Sequence, residues 1–256
     1  MHPGTAPMIE LTVLGAGPAY TSRPGAVGAS YLLRSGGDAI VLDLGQGAFT
    51  NLAGAIEPSS LRAVVVSHLH PDHFVDLVPL RHYLLWDFDP PRRVAVLGPA
   101  GLAERIDALH DEVGFASASL DIAALGGPGV RTLGSFALEA RLVRHTDESY
   151  DFQVTAGDGP GLVYSGDCGD ADDLRPLIHP GDTLLSEASF GTEPVAAGSE
   201  HLNAADVGRV AAATGAGRVL LTHVLMGHDR DATAAAAREL VGVDVNLVDP
   251  GDRFSI

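Results

Sequence analysis

Four side chains able to bind a metal ion crowd into six consecutive positions, His68-Leu69-His70-Pro71-Asp72-His73, directly behind the apolar run Ala63-Val64-Val65-Val66. Such a run reads as a buried strand, because β-branched residues fit a pleated surface covered on both faces. His68 and His70 are two apart, so in extended backbone they project to the same side. Pro71 cannot donate to a sheet and ends the strand there. Asp72 and His73 then fall on the turn towards the next helix, and four potential ligands leave one strand end. Imidazole together with carboxylate suits Zn²⁺ and its borderline neighbours.

The remainder alternates between strand-like and helix-like segments. Apolar, glycine-punctuated runs predict strands over 9–14, 29–33, 39–44, 63–67, 136–143, 151–155, 161–164, 183–186, 219–222 and 243–248. Helical spacing predicts helices over 76–86, 102–113, 171–178, 203–214 and 232–241, with Asn203 and Asp229 as caps near the last two. No polar linker divides the 256 residues and no internal repeat is visible, so residues 1–256 are read as one α/β domain.

Composition narrows the partners. The formal net charge is −17, and all 16 basic residues are arginine. Gripping a nucleic-acid backbone takes a basic stripe, since phosphate neutralisation supplies most of that affinity. The densest basic pair is Arg92 with Arg93, so a small-molecule substrate is expected and a long nucleic acid is not. No run of 18 uncharged apolar residues suggests a membrane span. Met1 to Pro7 lacks the pattern of a secretory signal, and Cys168 alone permits no intrachain disulfide. A cytoplasmic location is the expectation.

Three later apolar runs each end on a further candidate: His145 in Val143-Arg144-His145-Thr146, Asp167 in Tyr164-Ser165-Gly166-Asp167, and His223 in Leu220-Leu221-Thr222-His223. In this order, and with the first motif, they resemble the metallo-β-lactamase superfamily. The resemblance implies a four-layer αβ/βα sandwich, two mixed sheets flanked by helices, with a dinuclear site at their shared edge. It assigns His68, His70 and His145 to one metal, Asp72, His73 and His223 to the other, and Asp167 to a bridge between them. Two divalent ions are implied, with Zn²⁺ favoured and Mn²⁺ or Fe²⁺ also accepted by such ligands. Asp43, in Leu42-Asp43-Leu44-Gly45, matches an Asp-x-Gly turn that orients the ligands from below.

Two more segments, Leu184-Leu185-Ser186-Glu187-Ala188-Ser189 and Glu200-His201-Leu202-Asn203, resemble the phosphodiesterase branch that holds ribonuclease Z and cyclic-nucleotide phosphodiesterases. There a glutamate at the position of Glu187 supports a histidine at the position of His201, aimed at the scissile phosphate. Ribonuclease Z carries a long basic arm between the third histidine and the bridging aspartate. Here that interval is 21 residues, 146–166, without an arginine. The pattern is closer to actinobacterial cyclic-nucleotide phosphodiesterase-like proteins, whose relatives also allow a homodimer.

The expected reaction is hydrolysis of a small phosphodiester, such as a cyclic nucleotide, by a hydroxide shared between the metals. Asp72 would orient the nucleophile, and His201 with Glu187 would stabilise the transition state. An esterase, lactonase or thioesterase on the same metals is the first rival, and a non-catalytic metal-binding protein the second.

Other features carry less. Gly15-Ala16-Gly17 fails as a dinucleotide fingerprint, because Tyr20 stands where the third glycine is needed. The loop 18–28 is expected to rim the site. His82, Tyr83, Trp86 and Phe88 read as packing rather than pocket, His228 as ordinary loop, and His2, His110 and His179 lack context. Cys168 is left out of the ligand set.

Overall fold

Period-two alternation buries both faces of the strands. In β2 (Ser30–Ser35), Tyr31 and Leu33 face one apolar cluster while Leu32 faces another. The same alternation places Ala63 and Val65 of β4 (Ala63–Val65) in the first cluster, and Val64 in the second. A computed structural model describes residues 8–127, 129–196 and 198–256; His2 lies outside them.

The first sheet runs in the order β14-β1-β2-β3-β4-β5-β6. Its remaining members are β1 (Glu10–Gly15), β3 (Asp38–Leu42), β5 (Val94–Gly98), β6 (Leu120–Ala124) and β14 (Arg253–Ser255). The second runs β13-β12-β11-β10-β9-β8-β7. It comprises β7 (Val130–Leu133), β8 (Phe136–Val143), β9 (Ser149–Thr155), β10 (Leu162–Tyr164), β11 (Thr183–Glu187), β12 (Arg218–Thr222) and β13 (Asp244–Leu247). Both sheets are mixed. In the first, β1, β2 and β3 pair antiparallel and β3 to β6 parallel. In the second, β7 to β10 pair antiparallel and β10 to β13 parallel.

One cluster lies between the sheets, joining Leu11, Tyr31 and Leu42 to Phe136, Phe152, Tyr164 and Leu220. A second packs the first sheet under α1 (Ala48–Ala55), α3 (Leu77–Trp86) and α4 (Leu102–His110). A third packs the other sheet under α5 (Ala204–Thr214) and α6 (Arg230–Arg238). The result is the expected four-layer sandwich of two mixed sheets flanked by helices. A four-residue helix, α2 (Pro71–Phe74), precedes α3.

Both expected caps form: Asn203 accepts from the Asp206 amide and Asp229 from the Ala232 amide. Because Asp229 is the cap itself, α6 begins two residues earlier than its apolar spacing suggests. The helix expected over 171–178 is only a 3-10 turn, Ala171–Leu174. Helix α1 and strands β5, β6, β7 and β14 have no counterpart in the sequence reading. Three of these strands, β6, β7 and β14, are largely exposed, so they lack the apolar signal of a buried strand. No described helix is long and apolar enough to cross a membrane.

Candidate metal centre

The end of β4 delivers the first four candidates. Strand pairing stops at Val65, and Pro71 occupies the first turn of α2, where its missing amide hydrogen costs nothing. Asp72 and His73 are thereby carried on one helical turn, both buried, while His70 stays exposed. The turn after β3 lies directly beneath. Asp43 adopts a left-handed conformation (φ 55°), and the Leu44 amide donates to the His73 carbonyl at 2.7 Å. Gly45 is required there, since a Cβ would stand 1.9 Å from the Asp72 carbonyl oxygen.

The second sheet supplies the others. His145 follows β8, Asp167 follows β10 past Gly166, and His223 follows β12 with φ 57°. A non-glycine residue held at positive φ is uncommon and costs energy that its surroundings must offset. The His223 amide is held by the Ala16 carbonyl at 3.2 Å.

These seven side chains converge from both sheets into groups whose donor atoms lie within 4.8 Å of one another. One group joins His68, His70, His145 and Asp167; another joins Asp72, His73 and His223. Asp167 stands between them. Its Oδ2 is 3.7 Å from His68 Nε2 and 3.8 Å from His145 Nε2. Its Oδ1 is 3.4 Å from His73 Nε2 and 3.5 Å from His223 Nδ1. His223 Nε2 also approaches Asp72 Oδ2 at 3.1 Å, and His145 Nε2 approaches His70 Nδ1 at 3.1 Å.

Metal ions fit this donor set. His68 Nε2, His73 Nε2 and Asp167 Oδ1 are buried with no hydrogen-bond partner. Each such orphan costs about 1–3 kcal/mol, an expense that bound cations would remove. The opposite ring nitrogens are fixed as a ligand requires. His73 Nδ1 donates to Asp43 Oδ2 at 2.7 Å, and His145 Nδ1 to the Glu200 carbonyl at 2.7 Å. His68 Nδ1 lies 3.1 Å from Ser67 Oγ, whereas His223 Nδ1 faces both Ser189 Oγ at 3.0 Å and Asp167 Oδ1, with its Nε2 turned to Asp72.

Electrostatics point the same way. Burial and the neighbouring His73 push the His68 imidazole well down, favouring the neutral ligand form. Burial and His145 also lower the His70 imidazole. For Asp167, burial favours the neutral acid, but the surrounding charges of His223 and His73 outweigh it and hold the carboxyl well below its usual range. His73 goes the other way: burial opposes its charge, yet Asp167 and Asp43 raise it well above the ordinary imidazole value. Those two carboxylates attract a cation to that corner, proton or metal, and metal binding would release the proton.

Beside Asp167 stands a second arrangement. His201 Nδ1 lies 3.1 Å from Glu187 Oε1 and 3.9 Å from Asp167 Oδ2. Glu187 is wholly buried at the end of β11 and accepts from the Cys168 amide at 2.8 Å and the Ser189 amide at 3.1 Å. Those amides flank the centre, one next to Asp167 and the other on the serine that touches His223. Burial opposes the His201 charge, but the Glu187 hydrogen bond and carboxylate prevail and raise its pKa to about 9.

Several participants carry no obvious sequence signal. Ser67 donates to Asp43, Tyr164 donates to the same carboxylate at 2.7 Å, and Ser189 touches His223. Each sits within two or three residues of a candidate, and that proximity was the available hint. Asp151 was also unforeseen: it is fully buried, neither carboxylate oxygen has a partner, and burial with Asp173 nearby raises its pKa strongly.

Three of the four expected packing residues pack, whereas Trp86, at the end of α3, is 74% exposed and does not. His82 rests edge-on against Phe115 and His110, and Tyr83 packs on Phe49 and Phe88. The loop 18–28 has its base beside His223, where the Gly17 amide meets the Val27 carbonyl at 2.8 Å. His228 is closer than expected, since Phe190 packs against both it and His201. Cys168 is buried and its thiol donates to the Asp170 carbonyl at 3.2 Å, away from the candidate ligands.

The profile of the Beta-lactamase superfamily domain matches residues 40–224, which include every candidate ligand. An uncharacterized protein of Mycobacterium leprae is 32% identical over all of this chain and 93% of its own length. The probable metallo-hydrolase YhfI of Bacillus subtilis is 27% identical over 95% of this chain and 98% of its own. Its crystal structure, described as a metallo-beta-lactamase fold protein, superposes with a TM-score of 0.86 over 98% of this chain and 100% of that one. Ribonuclease Z of Mycolicibacterium paratuberculosis is 28% identical over 92% of this chain and 94% of its own.

Proposed function

The chain belongs to the beta-lactamase superfamily, and from that premise we propose that it is a metal-dependent hydrolase of small phosphodiesters, with cyclic nucleotides as the leading substrate class. The Glu187–His201 pair beside Asp167 carries this reading. An alkoxide is a poor leaving group, and the oxygens of a phosphodiester carry negative charge through the reaction. Both are served by a protonated imidazole held in place.

The residues divide the work. His68, His70 and His145 would hold one ion and Asp72, His73 and His223 the other, with an oxygen of Asp167 offered to each. Divalent ions held there would acidify water from a pKa of about 15.7 towards about 7, supplying the nucleophile at neutral pH. Glu187 engages Nδ1 of His201, which leaves Nε2–H as the donor to the substrate. With a pKa raised to about 9, that imidazole is charged at neutral pH. Asp72, buried against His73 and His223, would orient the attacking oxygen.

The name of the ribonuclease Z relative supports a phosphodiester bond. The net charge of −17 and the lack of an arginine between His145 and Asp167 favour a small substrate over a long RNA. The test is turnover of bis(p-nitrophenyl) phosphate and 3′,5′-cyclic AMP by metal-loaded protein, with Asp72→Ala as the inactive control. His201→Ala should lower cyclic AMP turnover by about 10²–10⁴-fold. Turnover of carboxylic esters or thioesters with none of either phosphodiester would overturn the reading.

A further inference from the structure

Each candidate ion site draws ligands from both sheets. His68, His70, Asp72 and His73 belong to the first, and His145, Asp167 and His223 to the second. The distance between the two sheet edges is therefore also the distance between ligands. Apolar packing between sheets is non-directional, whereas metal sites tolerate only about 0.2 Å of error in ligand distance. Something directional must fix the gap.

Two tyrosines lie across that gap in opposite senses. Tyr31, on β2 of the first sheet, has its hydroxyl 2.6 Å from Thr222 Oγ1, at the end of β12 and next to His223. Tyr164, on β10 of the second sheet, donates to Asp43 Oδ2 at 2.7 Å, below β3 of the first. The same oxygen receives His73 Nδ1 at 2.7 Å and Ser67 Oγ at 2.7 Å. The rings meet with centroids 4.9 Å apart at 58°, so each phenol braces the other. Both residues are essentially inaccessible to solvent, and burial pushes both phenols far up, so each keeps its proton.

We propose that Tyr31 and Tyr164 form a pair of crossed struts that sets the separation of the two ligand-bearing sheet edges, acting as positioning residues for the metal centre. Neither touches substrate or metal. Tyr164 acts through Asp43 on His73, and Tyr31 acts through Thr222 on the backbone that holds His223 at positive φ. This rests on reading the seven converging side chains as metal ligands.

The test removes single oxygen atoms. Tyr31→Phe, Tyr164→Phe and the double variant keep the rings and lose the struts. Tyr83→Phe loses an exposed hydroxyl that bonds Glu57, and serves as the control. Zn²⁺ affinity is measured by chelator competition, ligand geometry by the visible spectrum of the Co²⁺-loaded protein, and stability by the Tm of the metal-free protein. Tyr164→Phe should weaken Zn²⁺ binding about 10–100-fold, the usual effect of losing a partner behind a ligand. It should also alter the Co²⁺ bands, while Tyr83→Phe changes neither.

Once one strut is gone the edges have already relaxed, so the double variant should lose less than the product of the two single effects. If a phenylalanine variant does not fold, Thr222→Val breaks the Tyr31 bond from its other end. Wild-type affinity and an unchanged Co²⁺ spectrum in folded variants would overturn the proposal, whatever their Tm. A wild-type protein that binds no metal would overturn the ligand reading itself, and that outcome is visible before any variant is made.

Discussion

Replacing Gly45 by alanine tests how closely the first sheet holds the turn that carries the candidate ligands Asp72 and His73. The added Cβ would stand 1.9 Å from the Asp72 carbonyl oxygen, 2.6 Å from its carbonyl carbon and 2.9 Å from the Gly28 carbonyl carbon. All three are backbone atoms, so no side chain can rotate away. Reaching a tolerable 3.0 Å requires Asp72 or the 43–47 turn to move by at least about 1.1 Å (3.0 − 1.9). Overpacking of this kind costs about 1–3 kcal/mol. At about 2–4 °C per kcal/mol for a chain of this size, Tm should fall by about 2–12 °C.

Function should suffer more than stability, because displacing a reacting group by about 1 Å can cost about 10²-fold in rate. Gly54→Ala is the matched control. It lies in α1 with nothing within 4 Å of its added Cβ, so it should raise stability by about 0.5–1 kcal/mol. Differential scanning fluorimetry, chelator competition and turnover of bis(p-nitrophenyl) phosphate on both variants decide the matter. A Gly45→Ala protein with wild-type Tm and metal affinity would refute the reasoning.

Two further outcomes follow from buried groups. Stripping metal with a chelator should lower Tm, and restoring Zn²⁺ should recover it, because ions that bind only the folded state stabilise it by mass action; identical melting of stripped and loaded protein would argue against occupied sites. Asp151 has its carboxyl pKa raised strongly by burial, so the folded state keeps a proton that the unfolded state releases above about pH 4. Wild-type stability from this group is full below the unfolded value and is lost as pH rises towards the folded one. Asp151→Asn escapes that loss, so its Tm advantage should grow from pH 5 to pH 8, and a constant difference would show that Asp151 is charged in the fold.

The candidate ligands were legible because each is a local event. An apolar strand ends and a histidine or aspartate follows, as at Val66 before His68, Tyr164 before Asp167 and Thr222 before His223. Their order carried the family resemblance, and the long buried strands and the caps at Asn203 and Asp229 were equally local. Helix α1 was not legible, since it is eight residues long, buries only Ala48 and Leu52, and starts from a left-handed glycine. The exposed edge strands β6, β7 and β14 were missed for want of an apolar pattern. Strand β14 owes its place to pairing with β1 at the opposite end of the chain, where Leu11 faces Phe254.

The sequence by itself determined which side chains can hold metal and that each leaves a strand end, because strand termination and side-chain chemistry are encoded within a few residues. Only the tertiary structure decided how those ends group their candidate ligands. Asp167 presents one oxygen to each group, and two tyrosines cross between sheets to partners 191 and 121 positions away in the chain. Contacts at that separation leave no periodicity to read; they exist only once the apolar faces have packed and brought the sheet edges together.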